Sequence, residues 1–354
     1  MADWYVSELH PQSSDMIQME QLLEREGIRK DTHLDYSCGI FDESHTLIAT
    51  GSCFCNTLRC LAVSGQYRGH GLLNLIVSHL IRIQYDRGNT HIFLYTKPKN
   101  TAFFQDLGFY PISTATHKLV FMENRRNGFA RYLDTLLKES PETDIQFLQQ
   151  KKIAAIVMNA NPFTLGHQYL VQQAAFENDI VHLFGLSEDC SVIPYQIRKK
   201  LILEGCASFS NVCYHDSGPY IISNATFPSY FLKDEAEVIR EHAVLDLDIF
   251  LKISKKLHIS VRYVGEEPYS QVTGIYNQIM KSQLPDYGIA CKEISRLRIH
   301  GKSVSASDVR LTLKHGNNSL LKTLVPESTY QYFTDPSSQE IREKIQSAKN
   351  VVHY

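Results

Sequence analysis

The stretch MNANPFTLGH, from Met158 to His167, combines a turn with the predicted start of a helix. Pro162 sharpens the turn, and Gly166 lets the backbone approach a ligand closely because it has no Cβ. Thr164 and His167 are three residues apart, so they lie on one side of the helix at its positive end. A hydroxyl, an imidazolium and free amides suit a polyphosphate whose charge grows in a transition state. On spacing alone, an ordinary helix N-cap that contains a histidine explains the stretch equally well.

A second candidate motif is VSASDVR, from Val304 to Arg310. We expect Ser305 or Ser307 to cap a helix and Arg310 to extend from its first turn toward phosphate oxygens. Taken alone, this stretch is typical of a serine-capped helix. The first stretch resembles the T/H-x-G-H signature of the nucleotidyltransferase superfamily, and the second resembles its I-S-S-T-x-x-R signature. The two occur along the chain in the same order as in that superfamily. That resemblance implies attack of an oxygen on the α-phosphate of ATP, with pyrophosphate leaving.

The first motif departs from the superfamily, which often has Gly-x-Phe-Asp/Asn-Pro where this chain has Met158 and Ala160 in place of the glycine and the phenylalanine. This departure argues against a generic cofactor adenylyltransferase. The second half is instead similar to the citrate lyase ligase family, through VMNANPFTLGH, LSEDCSVIPYQIR, SGPYIISNATFPSYFLKD, VGEEPYSQVTGIYNQIMK and GKSVSASDVR. The family implies that acetate attacks ATP to give acetyl-adenylate and pyrophosphate. A thiol on the CoA-like prosthetic group of the citrate lyase acyl-carrier subunit then takes the acetyl group, and AMP leaves.

On this interpretation His167 and Arg310 stabilise the transition state, and Thr164 is a phosphate ligand. Mg²⁺ accompanies ATP and is held by its phosphates, so we expect no metal ligands from the protein. Arg198 either reaches the phosphates or lies on a solvated helix face, and Glu266 and Glu267 either bind ribose or adenine or are exposed loop carboxylates. The predicted nucleotide-binding residues are Met158, Asn159, Asn161, Pro162, Phe163, Gly166, Arg198, Gly265, Glu266, Glu267, Ser305 and Ser307.

Further residues are candidates for binding the acyl substrate or the prosthetic group. In SGPYIISNATFP, Ser223 and Thr226 are polar residues after a Ser-Gly-Pro turn that could line the acetate or adenylate pocket. In the first half, GQYRGHG resembles the acyl-CoA loop of the GNAT acetyltransferases, and NTAFFQDLGFY resembles a later segment of that fold. These stretches contribute Gln66, Arg68, Gly69, Gly71 and Asn100.

The first half is expected to bind rather than to catalyse. A GNAT enzyme often uses a carboxylate base near its third or fourth strand, and the strands ATGSCFCN and LRCLAVS contain no Asp or Glu. We therefore expect a CoA-shaped groove that presents the thiol of the prosthetic group to acetyl-adenylate.

The elements that carry these motifs predict an α/β chain with two domains. Residues 1–125 form the GNAT-like domain, 126–150 a helix and linker, 151–335 a Rossmann-like nucleotidyltransferase domain and 336–354 a C-terminal tail helix. In the second half KKIAAIVM, DIVHLFGLS, NVCYHDSG, SVRYVG and GIACKEI read as strands with helices between most of them. That alternation predicts a parallel sheet covered on both faces.

Bulk composition limits the kinds of partner. The 354 residues carry a formal net charge of −2, which argues against non-specific binding to nucleic acid or to an anionic membrane. No apolar run is long enough to span a bilayer and the N-terminus lacks a signal-peptide pattern, so we expect a soluble cytoplasmic protein. The eight cysteines make no disulfide framework, and Cys53 and Cys55 are expected to form a buried reduced pair on one strand face.

Three other functions stay open from the sequence. A tRNA-directed acetate ligase would share the nucleotide motif but predicts a basic RNA-binding surface, which a near-neutral chain fits poorly. A dinucleotide cofactor adenylyltransferase is disfavoured by Met158. A protein N-acetyltransferase with a regulatory nucleotide-binding module would form product from acetyl-CoA and none from ATP.

Overall fold

The computed structural model describes residues 4–31, 33–114, 118–188, 191–221, 235–267 and 271–348. The chain divides into two compact units. One comprises Met1–Ala130 with Thr226–Asp248, and the other Arg131–Ala225 with Ile249–Tyr354. The domain limits expected from the sequence stay predictions.

The first unit contains a mixed sheet with helices packed against it. The strands described are β1 (Ser7–Glu8), β2 (Tyr36–Phe41), β3 (Leu47–Phe54), β4 (Thr57–Val63), β5 (Phe93–Thr96), β6 (Tyr110–Ser113) and β7 (Val120–Glu123). They form one sheet in the order β1-β2-β3-β4-β5-β7-β6, in which β4 and β5 are parallel and the other neighbours antiparallel. Its helices are α1 (Asp15–Arg25), α2 (Leu72–Asp86) and α3 (Thr101–Asp106). β2 and β3 form an antiparallel hairpin around Asp42.

The cysteines near the end of β3 differ from the prediction. Cys53 is buried on the strand, but β3 ends at Phe54, and Cys55 follows in a turn with φ 50° and an exposed side chain. The expected buried pair is therefore wrong for Cys55, because a residue beyond the end of a strand no longer follows the strand's alternation of faces.

The second unit is built on a parallel sheet, as the sequence predicts. The strands β8 (Ile153–Met158), β9 (Ile180–Gly185), β10 (Val212–Asp216), β11 (Val261–Gly265) and β12 (Ala290–Ile294) lie in the order β10-β9-β8-β11-β12. Every neighbouring pair is parallel. A short antiparallel hairpin, β13 (Arg298–Ile299) and β14 (Lys302–Ser303), follows.

The remaining helices connect these strands or follow them. They are α4 (Gly128–Glu139), α5 (Ile145–Leu148), α6 (Leu165–Glu177), α7 (Tyr195–Cys206), α8 (Glu235–Leu257), α9 (Gln271–Gln283), α10 (Ala306–Lys314), α11 (Asn318–Leu324), α12 (Glu327–Thr334) and α13 (Gln339–Ser347). α13 lies within the predicted tail segment 336–354. Its Ile345 is fully buried in the same apolar cluster as Ile156 of β8 and Val309 of α10.

The strand order of the second unit identifies where a ligand would bind. From β8 the chain builds outward to β9 and β10, then returns to the other side of β8 for β11 and β12. In open parallel sheets, ligands bind outside the carboxyl ends of the strands at the point where the order reverses. Here that point lies between β8 and β11, so the segments that follow these two strands must form the site.

Candidate nucleotide site

The turn after β8 enters α6 through a reciprocal cap. Thr164 is the N-cap residue, and its Oγ1 accepts a hydrogen bond from the backbone N–H of His167 at 3.3 Å. In return, His167 Nδ1 accepts a hydrogen bond from the backbone N–H of Thr164 at 3.1 Å. A capping box usually places Glu or Gln at this third helical position. The histidine fulfils the same role here, so the turn and the imidazole ring are fixed together.

This cap also determines which ring nitrogen of His167 carries the proton. A backbone N–H can only donate, so Nδ1 must be the acceptor, and the neutral ring then carries its hydrogen on Nε2. Burial, followed by the charges of Arg296 and Arg310, lowers the pKa of His167 to about 4. The imidazolium expected from the sequence is therefore wrong for the ligand-free protein at neutral pH. What His167 offers a ligand is a neutral N–H donor.

The second motif is built as predicted and contacts the first. Ser305 caps α10, with its Oγ accepting from the backbone N–H of Asp308 at 3.0 Å. Arg310 in the first turns of α10 is buried, its Nη2 lies 3.1 Å from Ser307 Oγ, and its Nη1 donates to the backbone carbonyl of Asn161. The two motifs, 149 residues apart at this contact, thus form one site.

Gly166 accounts for how closely the two motifs approach each other. A Cβ on Gly166 would lie 3.2 Å from the carbonyl oxygen of Val304 and 3.4 Å from Thr164 Oγ1. A side chain at this position would push the start of α6 away from the segment before α10. The sequence predicted close approach to a ligand, and the structure shows close approach to backbone.

Arg198 on α7 is 1% exposed, so the solvated helix face considered as an alternative is wrong. Its guanidinium donates to the backbone carbonyls of Asn159 at 3.0 Å, Leu186 at 2.7 Å and Ile193 at 3.0 Å. It also donates to Asn159 Oδ1 at 2.7 Å. Arg198 therefore holds the segments after β8 and β9 in place, and its predicted contact with phosphate stays a prediction.

Other predicted nucleotide-binding residues shape the turn from inside the protein. Met158, Pro162 and Phe163 are buried, and the Phe163 ring stacks beside His167 with centroids 5.7 Å apart. Phe163 also fills the space above Gly205, where a Cβ would come within 2.4 Å of the ring. These residues position the site, and nothing in their burial requires contact with a nucleotide.

The asparagines of the turn are polar and only partly satisfied. Asn159 is half-buried and its Nδ2 donates to Ser191 Oγ at 3.1 Å. Asn161 is 3% exposed and its Oδ1 accepts from the backbone N–H of Ile193 at 3.3 Å. Among the described residues Asn161 Nδ2 has no hydrogen-bond partner. A buried donor of this kind fits an oxygen-rich ligand at the turn.

The segments after β11 and β12 meet at this edge, and the second contributes Arg296, a residue that the sequence reasoning did not identify. Gly265 ends the strand, and Glu266 and Glu267 follow it as half-buried residues. Arg296, just after β12, donates through Nε to the Glu266 carbonyl at 2.8 Å and through Nη2 to Glu267 Oε2 at 2.6 Å. The two glutamates are thus not exposed loop carboxylates. The charge of Arg296 also lowers the pKa of His167, which places it at the same site. The sequence could have indicated Arg296, because it follows a predicted strand and so lies at the carboxyl edge of the sheet.

The side chains at this site indicate whether the protein or the ATP phosphates would hold the expected Mg²⁺. In the described part of the chain, one group of at least three His, Cys, Asp or Glu side chains has ligand atoms close enough to hold an ion, and it lies on β9 and β10 away from this turn. The side chains gathered at the turn are Asn161, His167 and, from α10, Arg310, rather than a carboxylate cage. That set fits an ion carried by phosphate oxygens better than one held by the protein.

The predicted acyl-CoA loop of the first unit is an exposed turn before α2. Gly69 and Gly71 have φ of 86° and 74°, a region that favours glycine, and Gly71 caps α2 without a side-chain hydrogen bond. Arg68 is exposed and pairs with Glu26. Gln66 and Asn100 are also exposed. The predicted pocket residues Ser223 and Thr226 lie outside the described residues.

Comparison with known proteins decides the family. The model of the citrate lyase ligase C-terminal domain matches residues 153–333. [Citrate [pro-3S]-lyase] ligase of Klebsiella pneumoniae is 38% identical over 85% of this chain and 87% of its own length. The Escherichia coli (strain K12) enzyme of the same name is 36% identical over 91% of each chain. The chain belongs to the citrate lyase ligase family. As a member of the citrate lyase ligases it is an enzyme of the ligase class.

Solved structures resemble the N-terminal part of the chain. A GNAT-family N-acetyltransferase of Escherichia coli in complex with CoA is 16% identical and covers 35% of this chain and 83% of its own, with a TM-score of 0.28. An acyl-CoA N-acyltransferase of Pseudomonas aeruginosa is 13% identical over 35% of this chain and 99% of its own, with a TM-score of 0.30. The predicted α/β fold class is confirmed by the chain's own strands and helices. In the described residues, no helix is both long and apolar enough to cross a bilayer.

Proposed function

We propose that this ligase activates citrate lyase by acetylation. It adenylates acetate with ATP, releases pyrophosphate and passes the acetyl group to the prosthetic-group thiol of the citrate lyase acyl-carrier subunit. The observation that carries the proposal is the hydrogen bond from Arg310 to the Asn161 carbonyl, since it joins both motifs at the carboxyl edge of β8 and β11. The names of the relatives support the choice of partner. A cytoplasmic location stays a prediction.

Adenylation requires charge stabilisation rather than proton removal. Acetate is already an anion at neutral pH, so its oxygen attacks the α-phosphate without a general base. The barrier comes from repulsion between carboxylate and phosphates and from negative charge that grows on the phosphate oxygens. The backbone N–H groups of Leu165 and Gly166, which begin α6, have no acceptor within the helix, and such groups favour an anion at the helix start.

Two side chains would stabilise this developing negative charge in different ways. His167 offers a neutral Nε2–H whose direction is fixed by the cap at Nδ1, so no proton has to be acquired before it donates. Arg310 offers a permanent positive charge, and its contacts with Asn161 and Ser307 hold it in position. Donors fixed before the reaction stabilise a transition state without reorganisation. The Thr164 hydroxyl serves the cap in this structure, and its role as a phosphate ligand is part of the proposal.

ATP is the adenylating substrate in this proposal, and Mg²⁺ enters with it. The ion supplies charge neutralisation on the phosphates when bound. The residues of the chain that fit around that complex are Arg310, His167 and Asn161, all donors to oxygen. Asn161 Nδ2 has no hydrogen-bond partner in the part of the chain that the structure describes. Glu266 and Glu267, held by Arg296 at the end of β11, are assigned to the ribose or adenine in this proposal.

The second step needs a site for the carrier's CoA-like prosthetic group. The exposed loop from Gln66 to Gly71 and the start of α2 suit its phosphates, because Gly71 gives α2 no side-chain cap and the first N–H groups of a helix have no partners within it. Arg68 lies at that loop in an ion pair with Glu26, so a phosphate would have to compete with Glu26 for its charge. We assign this part of the chain a binding role rather than a catalytic one.

The adenylation half-reaction is tested by incubating the purified protein with ATP and acetate and following pyrophosphate and acetyl-adenylate. The expected result is pyrophosphate release that depends on acetate, followed by AMP release and carrier acetylation once the acyl-carrier subunit is added. Product formed from acetyl-CoA and none from ATP would overturn the proposal.

The role of the loop is tested by comparing Gly69→Leu with Gly88→Leu. Both glycines have a positive φ, 86° and 82°, and a Cβ added to either would meet no atom within 4 Å, so the backbone strain is matched. Gly88 lies at the opposite end of α2. We expect Gly69→Leu alone to raise KM for the carrier, with adenylation unchanged in both variants. Equal transfer by both would refute the binding role.

A further inference from the structure

A cluster of two histidines and a cysteine lies on one face of the second unit's sheet. His182 in β9 is the direct register partner of Cys213 in β10, and His215 follows Cys213 by two residues. Because side chains two apart on a strand share a face, all three project to the same side. His182 and His215 are fully or nearly fully buried, at 0% and 1% exposed, and Cys213 is half-buried.

The hydrogen bonds of this cluster have one consistent direction. His215 Nδ1 lies 2.9 Å from Glu139 Oε2 of α4, and a carboxylate accepts, so His215 carries its hydrogen on Nδ1. His215 Nε2 then accepts from His182 Nδ1 at 2.9 Å. This leaves His182 Nε2 as a buried lone pair, and it has no hydrogen-bond partner among the described residues. Buried polar atoms of this kind call for an explanation.

Atoms of these three side chains form a possible ligand set. One nitrogen from each histidine and the sulfur of Cys213 all lie within 4.8 Å of one another. Around a tetrahedral zinc ion such atoms would be separated by about 3.3 to 3.6 Å, given bonds of about 2.0 to 2.3 Å. The 2.9 Å between the two histidines needs to open only slightly. We propose that His182, Cys213 and His215 bind a divalent transition metal ion, with Zn²⁺ as the ion that the two imidazoles and one thiolate fit best.

The surroundings support this assignment. A histidine that binds a metal almost always donates its other ring N–H to a carboxylate or carbonyl, and Glu139 already takes that position toward His215. On binding, the thiol proton of Cys213 passes to solvent, and the proton of His182 Nδ1 moves to Nε2 if Nδ1 is the ligand. Three protein ligands leave a fourth position for water, and half of the Glu139 side chain is exposed, so solvent reaches the cluster.

Burial keeps the cluster neutral without an ion. It raises the pKa of Cys213 to about 11, with the Glu139 charge adding to the effect, and lowers the pKa of His182 to about 3. Neutral imidazoles are the form that binds metal, whereas the thiol must be deprotonated by the ion itself. The ion would tie the edge strand β10 to β9, a structural role separate from adenylation at the carboxyl edge.

The test measures metal in the intact purified protein and then titrates the metal-free protein with Co²⁺. The expected result is about one zinc per chain on purification, and cobalt spectra with tetrahedral d–d bands and a thiolate charge-transfer band. Cys213→Ser should abolish the charge-transfer band. Cys291→Ser should leave it intact, because Cys291 is also half-buried but lies on β12 at the other edge of the same sheet.

A second variant protects the test against loss of folding. Glu139→Gln changes a half-exposed side chain outside the ligand set and should weaken metal affinity about 10- to 100-fold with an unchanged circular dichroism spectrum. Protein that retains no zinc and gives no thiolate band with Co²⁺ would overturn the proposal. So would a thiolate band that survives Cys213→Ser, since the ion would then be bound elsewhere.

Discussion

His167 has two roles in this structure that different substitutions separate. Its Nδ1 caps α6 by accepting from Thr164, while its Nε2–H is the donor proposed for the transition state. His167→Ala removes both. His167→Asn places an oxygen near the position of Nδ1, so the cap is kept and the outer donor is lost. Both variants lose the stacking on Phe163.

The magnitudes follow from these two roles. Loss of a helix cap costs about 0.5 to 2 kcal/mol, so His167→Ala should be destabilised by about 1 to 2 kcal/mol more than His167→Asn. At about 2 to 4 °C per kcal/mol, the difference in Tm should be about 2 to 8 °C. Loss of one preorganised donor to a developing charge costs about 10²- to 10³-fold in kcat. Both variants should therefore be slowed by about that factor.

The assay follows pyrophosphate release with saturating ATP and acetate, alongside thermal unfolding. Gln172→Ala, on the exposed side of α6, is the control and should change neither quantity. Full activity in His167→Asn would refute the proposed donor role of Nε2. A Tm for His167→Asn as low as that for His167→Ala would refute the capping argument.

Three further predictions concern the same site. Arg310→Lys keeps the charge but cannot hold both Asn161 and Ser307 with a planar fork, so adenylation should fall about 100-fold, and an unchanged rate of pyrophosphate release would contradict this. Arg198→Met leaves three buried backbone carbonyls without their donor, so the free energy of unfolding measured in urea should fall by at least about 2 kcal/mol. An unchanged free energy of unfolding would mean that these hydrogen bonds make no net contribution to stability. In ligand-free protein, NMR of the His167 ring nitrogens should show a neutral ring at pH 6, because its pKa lies near 4. The contribution of the neutral His167 ring to the free energy of unfolding should be complete above about pH 6.5 and should decline toward pH 4. The reason is that the unfolded chain takes up a proton in this range that the folded chain does not. Titration of the folded His167 ring near pH 6.5 would refute both expectations.

The sequence anticipated the framework of the site because its signals are local. Apolar runs separated by helical patterns gave the five parallel strands, and this follows from the period of side-chain burial alone. The Ser305 cap could be predicted for the same reason, because a cap depends on residues within one turn of the helix. The pairing of the two motifs came from resemblance rather than from spacing.

The sequence by itself determined which residues could do the chemistry, and the tertiary structure decided their states and neighbours. Burial and two arginines far away in the sequence keep His167 neutral. Arg198, which the sequence left as a candidate surface residue, is buried and donates hydrogen bonds to the segments after β8 and β9. The register of β9 against β10 brings His182 beside Cys213, and no local pattern records that alignment. The physical reason is that pKa, hydrogen-bond partners and ligand geometry depend on atoms brought together by folding, whereas periodicity and capping depend on neighbours along the chain.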